Sequence, residues 1–189
     1  LTFSVTLASA YDQHIVIDGV PYFITPETST EYSAVIDEEA IMDGTAKFET
    51  SITLTKYITY NGHTYTVDLP QLTSDDRTPF DSKYVSQVEY VTIGKGIKTI
   101  NSNFFSTWVN LRRLFFVSTD ITTIAKDAFK KTYNLARVDM EAKANQSSGT
   151  PGVLTFGESC FADNQFLSTV ILPTGRSYRF EGSGQFANC

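Results

Sequence analysis

Apolar positions in the second half of the chain recur in a four-part pattern: an anchor, a Phe five residues later, a Leu six after that, and another apolar residue three further on. The pattern runs Ile100, Phe105, Leu111, Leu114, then Ile124, Phe129, Leu135, Val138, then Phe156, Phe161, Leu167, Val170. Each unit closes on an apolar residue two positions on, at Phe116, Met140 and Leu172, which places the last two side chains on one face of a strand. One strand plus one helical or tight turn cannot bury its own apolar face and must stack on copies of itself. The pattern therefore predicts a solenoid whose core is built of columns of equivalent side chains. The step from Phe105 to Phe129 is 24 residues and from Phe161 to Phe186 it is 25, whereas from Phe129 to Phe161 it is 32. About eight extra residues fit the Gly/Pro/Ser/Asn-rich stretch from Ala142 to Gly152, which can leave the stack as a loop beside the strand face.

Residues 15–70 carry a different pattern. Asp18-Gly19 and Asn61-Gly62 are dipeptides suited to type I′ turns, in which both central residues take positive φ. Tyr57, Thr59 and Tyr60 before the second turn and Tyr65 and Val67 after it supply cross-strand pairs for one face of a hairpin. Asp37-Glu38-Glu39 with Asp43-Gly44 reads as a solvated connection or a short helix start. Leu1, Phe3, Val5 and Leu7 alternate with polar residues as a half-buried strand would; the other reading is the tail of a signal peptide ending in Ala8-Ser9-Ala10.

The stretches Ile124-Ala125-Lys126-Asp127-Ala128-Phe129, Cys160-Phe161-Ala162-Asp163-Asn164, Leu167-Ser168-Thr169-Val170-Ile171-Leu172-Pro173 and Phe186-Ala187-Asn188-Cys189 resemble the BspA-like leucine-rich repeats (type 5) of bacterial surface proteins. Ile17-Asp18-Gly19-Val20-Pro21-Tyr22-Phe23 and the hairpin Thr59 to Val67 are similar to the lead-in of such domains. The likeness spans 88–189 and extends over 15–70, with a degenerate first coil around Phe80 in 71–87. Departures are Thr132 and Asn164, where the family often has Cys, and Leu54-Thr55, where the lead-in strand often ends in Ile-Pro. The resemblance implies an exported or surface-attached protein that binds something outside the cell. It also implies buried thiols at Cys160 and Cys189, the reading preferred here, although export would permit one bridge between them.

Composition narrows the partners. A net charge of −6 and a pI near 4.9 oppose a nucleic-acid groove or an anionic membrane surface. Charged residues at 19% and aromatics at 13% give a chain apolar enough to bury a core. No run approaches the roughly 18 apolar residues of a membrane span. His14 and His63 are the only histidines: His14 is read as preceding the first strand of this region with no ligand at metal spacing, and His63 as an exposed turn residue. No zinc, phosphate-loop or nucleophile-elbow motif occurs, Gly94-Lys95-Gly96 is a plain loop, and Asp37-Glu38-Glu39 and Asp75-Asp76 lack the spacing of a calcium loop. The Asn145-Gln146-Ser147 acceptor triplet carries meaning only in a eukaryotic secretory pathway. No metal, cofactor or catalytic residue is assigned.

With Val91/Ile93, Leu114/Phe116, Val138/Met140 and Val170/Leu172 pointing inward, the alternate residues point out. They stack as Tyr90, Arg113, Arg137, Thr169 and as Thr92, Phe115, Asp139, Ile171, flanked by Val117, Glu141 and Pro173. Aromatic, aliphatic and Arg side chains on one sheet are what protein-binding hot spots favour, and these eight residues are the candidate ligand face; the alternative is a merely solvated sheet.

The sequence thus predicts a β-rich α/β fold: a β-rich cap over 1–87, and a short right-handed leucine-rich-repeat-like solenoid of about four coils over 88–189. The function expected is non-catalytic recognition of an extracellular protein or glycan by an exported, monomeric module. The alternatives are an assembly module that self-associates through the C-terminal coil, which has no evident cap after Cys189, and a carbohydrate-active enzyme.

Overall fold

The computed structural model describes residues 13–26, 29–69, 80–118, 120–141 and 152–189. The N-terminal elements are β1 (Gln13–Ile17), β2 (Val20–Ile24), β3 (Ser33–Ile36), α1 (Glu38–Asp43), β4 (Ser51–Leu54), β5 (Tyr57–Tyr60) and β6 (His63–Asp68). Five of them form a sheet in the order β1-β2-β3-β6-β5, antiparallel except where β3 meets β6. Both expected turns form: Asp18 and Gly19 have φ of 49° and 76°, Asn61 and Gly62 of 46° and 82°. The acidic stretch is a helix start, because Asp37 Oδ1 accepts from Ala40 N at 3.1 Å, and Gly44 ends the helix at φ 83°. The strand expected over residues 1–7, the Asp75-Asp76 pair, the acceptor triplet at 145–147 and nearly all of the inserted loop lie outside the described residues.

The repeats follow as α2 (Ser82–Val85), β7 (Tyr90–Ile93), β8 (Thr99–Ile100), β9 (Arg113–Phe116), β10 (Thr123–Ile124), β11 (Arg137–Asp139), β12 (Leu154–Phe156), β13 (Thr169–Ile171) and β14 (Tyr178–Phe180). They make two parallel sheets, β13-β11-β9-β7-β4 and β14-β12-β10-β8. Between the sheets, the Phe of each unit stacks on the next. Ring centroids are 4.7 Å apart from Phe105 to Phe129, 4.9 Å from Phe129 to Phe161 and 5.4 Å from Phe161 to Phe186, with planes within 6° of parallel throughout. Phe105, Phe129 and Phe161 are fully buried, as the columnar core requires.

Several features differ from the sequence reading. The anchors Ile100, Ile124 and Phe156 lie on strands of a second sheet, so a unit has two strands rather than one. Among the described residues the only helices are α1 and α2, both ahead of β7; the limbs linking strands within the repeats are turns. The reason is where the amides donate: Phe105 N to Ala128 O, Phe129 N to Cys160 O and Phe161 N to Gln185 O, each at 2.8 Å. These bonds run to the following unit, not four residues back as in an α-helix. Positive φ at Asn103, Asp127, Ser159 and Gly184, two residues before each Phe, also interrupts helical geometry.

The polar substitutions in the repeat are likewise structural. Thr132 Oγ1 donates to Phe105 O and Phe129 O, both at 2.9 Å, and Asn164 Nδ2 to Phe129 O at 2.8 Å and Phe161 O at 2.9 Å. Cys189 Sγ makes the next contact, 3.1 Å from Phe161 O. Each side chain ties a turn carbonyl of its own or the preceding unit, which is why a hydroxyl, an amide or a thiol serves there.

At the last unit three expectations are corrected. Val170 and Leu172 are half-buried rather than core, because among the described residues β13 is covered by a neighbouring strand on one side only. Pro173 is buried rather than outward, its carbonyl accepting from the Tyr178 hydroxyl. Cys160 is a buried free thiol, whereas Cys189 is free but exposed, so the two neither bridge nor form a buried pair.

The parallel sheet also extends into the N-terminal segment. Strand β4 pairs with β7 in register, Ser51 to Tyr90 and Thr53 to Thr92. On its outer side the β1–β2 turn covers it, with Thr53 N donating to Asp18 O and Glu49 N to Gly19 O, both at 2.9 Å. Gly19 is required there, since a Cβ would lie 2.5 Å from Ser51 O. Phe80 is buried against Phe48 and Trp108, at centroid distances of 5.3 and 6.3 Å.

Candidate functional site

The outer face of the five-stranded parallel sheet is built by strand alternation. Inward residues Ile52, Val91, Leu114 and Val138 are essentially fully buried, which leaves their neighbours facing out. Strand pairing joins Tyr90 to Arg113, Arg113 to Arg137 and Arg137 to Thr169; it joins Thr92 to Phe115, Phe115 to Asp139 and Asp139 to Ile171. All eight candidate residues therefore lie in two adjacent columns, spaced by the 4.7–4.9 Å typical of neighbouring strands. Ser51 and Thr53 of β4 extend the columns by one strand. Sequence reasoning missed them, because 39 residues separate Ser51 from Tyr90 and no repeat period links the two.

The face is chemically uneven. Tyr90 and Arg113 are exposed, whereas Thr92, Phe115, Arg137, Asp139, Thr169 and Ile171 are half-buried. Arg137 Nη2 lies 3.0 Å from Asp139 Oδ2, and Asp139 Oδ1 accepts from Glu141 N at 3.2 Å. This pair neutralises and orients one of the two cations. Among the described residues Arg113 makes no ion pair, so its guanidinium is the charge this face offers, between Tyr90 and Arg137 in its column and next to Phe115 in its strand. Arg112, on the rim, pairs with Glu89 at 3.4 Å.

Two exposed aromatics were not anticipated: Tyr133, 46% exposed, and Phe166, 64% exposed. They precede β11 and β13. A signal for Phe166 was present, because it takes the place of Asn110 and Asn134, whose amides donate back to Ser86 O at 2.6 Å and Val109 O at 2.7 Å. An aromatic ring there cannot make that bond.

Neither histidine matches its sequence reading. His14 lies within β1, bonded to Asp37, and His63 is half-buried and stacked on Tyr32 at 4.3 Å. Among the described residues no group of three or more His, Cys, Asp or Glu side chains is placed to hold a metal ion, and no helix is long and apolar enough to cross a membrane.

A repeated unit whose strands align outward side chains in columns defines a repeat protein with a broad strand face. A sequence model of BspA type leucine rich repeat regions matches residues 77–189 in six copies, and the chain belongs to this family. Two solved structures are similar in outline. One is a leucine rich cell surface protein from Faecalibacterium prausnitzii, 16% identical, covering 96% of this chain and 54% of that one with a TM-score of 0.39. The other is a leucine-rich repeat protein from Bacteroides ovatus, 18% identical, covering 93% of this chain and 45% of that one with a TM-score of 0.40. The chain spans about half the length of each. No curated protein matches it.

Proposed function

We propose that this chain is a non-catalytic recognition module of an exported, surface-attached or secreted protein. In this reading residues 88–189 form a short right-handed solenoid, residues 1–87 cap its N-terminal end, and the outer strand face takes an extracellular protein or glycan. The observation that carries the reading is the unbroken register from β7 to β13, which sets Tyr90, Arg113, Arg137 and Thr169 beside Thr92, Phe115, Asp139 and Ile171. Such a face binds by complementarity. Its backbone is held by a sheet, so little backbone ordering entropy is lost on contact, and Tyr90, Phe115 and Arg113 supply the residue types that dominate binding energy.

The test is binding of the purified chain to immobilised matrix proteins, mucins and glycans, beside an Arg113→Glu/Phe115→Ala variant. A ligand captured by the parent and lost in an equally stable variant supports the reading; a ligand captured equally by both places recognition elsewhere. A second reading, assembly through the last repeat, is favoured by one observation: Phe180 is 54% and Phe186 39% exposed, where their counterparts Phe156 and Phe161 are fully buried. It expects concentration-dependent association in sedimentation, abolished by Phe180→Ser/Phe186→Ser.

A further inference from the structure

His14 and Asp37 stand 23 residues apart in sequence and meet in the N-terminal sheet. The imidazole of His14, on edge strand β1, lies flat on Phe23 of β2, with centroids 4.5 Å apart and planes 8° from parallel. Its Nδ1 is hydrogen-bonded to Asp37 Oδ2. The Asp37 side chain is only 2% exposed, against 61% for His14, and its other oxygen caps α1. A buried carboxylate fixed by a helix N-terminus is thus joined to a solvent-facing imidazole that water can protonate. Among the described residues the remaining charged groups facing His14 are Glu39 and Asp43 of α1; from β2 it meets the uncharged Phe23, and its pocket is otherwise lined by Ala40, Thr45 and Ala46.

We propose that the His14–Asp37 pair is an acid-tightened clasp that holds the β1–β2 hairpin over the outer edge of the repeat sheet. The hairpin turn is what covers that edge, through the carbonyls of Asp18 and Gly19 on the amides of Thr53 and Glu49. Locking β1 to α1 steadies this cover, and the clasp couples solution pH to the N-terminal end of the array. The hydrogen bond to Asp37 raises the His14 pKa above its ordinary value; desolvation, the next effect in size, opposes it, and the fields of Asp37, Glu39 and Asp43 add to the rise in that order. For a group raised in this way, the added stability is fully present below the unfolded pKa, about 6.5, and is lost as pH climbs through the folded one. A neutral imidazole can still donate one N–H to Asp37, so what disappears is the charge-assisted share of the bond.

His63 is the only other histidine, so the His14 ring signals are readily told apart. Ring titration by NMR is expected to put the His14 midpoint above that of the same residue in the urea-unfolded chain. His14→Gln keeps a neutral donor, and the denaturation midpoints of parent and variant should differ most near pH 5 and converge on a constant gap by about pH 8. Amide exchange at Thr53 and Glu49, corrected for intrinsic rates, should be slowest in acid in the parent, with that extra acid protection absent from the variant. The clasp is refuted by a native His14 midpoint at or below the unfolded one, or by a parent–variant gap that is flat across this range. The titration needs only the parent protein, so it decides the matter even if the variant folds poorly.

Discussion

Replacing Phe129 by Ala tests the columnar core most directly. The ring is fully buried and sandwiched by Phe105 at 4.7 Å and Phe161 at 4.9 Å, so its removal empties the middle of the stack and leaves two faces without a partner. Loss of a buried Phe costs about 3–5 kcal/mol, and two lost stacking contacts place this site at the upper end of that range. Phe186, at the end of the same column, is 39% exposed and stacked on one side only, at 5.4 Å, so Phe186→Ala should cost about 1–2 kcal/mol. Urea denaturation followed by circular dichroism separates the two. At a slope of about 2 kcal/mol per molar, a 4 kcal/mol loss lowers the midpoint by about 2 M. A Phe129→Ala loss below 1 kcal/mol, or equal losses at the two sites, would show that the Phe residues do not carry the stack and that the repeat register is wrong.

Thr132→Val should cost about 1–3 kcal/mol, because it removes the donor shared by Phe105 O and Phe129 O, and Thr132→Cys should cost less, since Cys189 makes the equivalent contact through sulfur. Thermal melts of the two variants check the order. Gly157→Ala should destabilise by at least about 2 kcal/mol, as its Cβ would sit 2.5 Å from Lys126 N and 2.7 Å from Ala125 C, both backbone atoms. Gly152→Ala meets nothing within 4 Å among the described residues and should change stability by less than about 0.5 kcal/mol in the same assay. Burial pushes the Cys160 thiol up to about 12 and also raises the exposed Cys189. Ellman's reagent at mildly alkaline pH should therefore titrate Cys189 alone in the native protein and both thiols in denaturant.

The core columns and the outward columns were legible in the sequence for the same reason. Fixed offsets such as Phe105 to Phe129 stack equivalent residues, and the two-residue alternation of a strand then assigns each neighbour to a face. The second sheet was not legible, because strands as short as Thr99–Ile100 and Thr123–Ile124 are too brief to display a period. The turns left a signal that went unused: Asn103 and Asp127, residue types that tolerate positive φ, occur two positions before the Phe of successive units. On the candidate face, the spacing of Arg137 and Asp139 already places them on one side of a strand, yet their pairing, which leaves Arg113 as the available cation, emerges only from side-chain positions. The His14–Asp37 contact depends on a sheet and a helix coming together, and no local pattern encodes it.

Because turn amides donate to the following unit, successive units are bonded along both sheets and along the turns that join them. This arrangement makes the response to force directional. Tension applied across the whole stack loads many of these bonds together, whereas pulling on the C-terminus loads only the bonds joining the last unit to the one before it. The array should then peel from that end one unit at a time, each step freeing 24 or 25 residues where no insertion intervenes, roughly 80 Å of extended chain, and passing the load to the next intact unit.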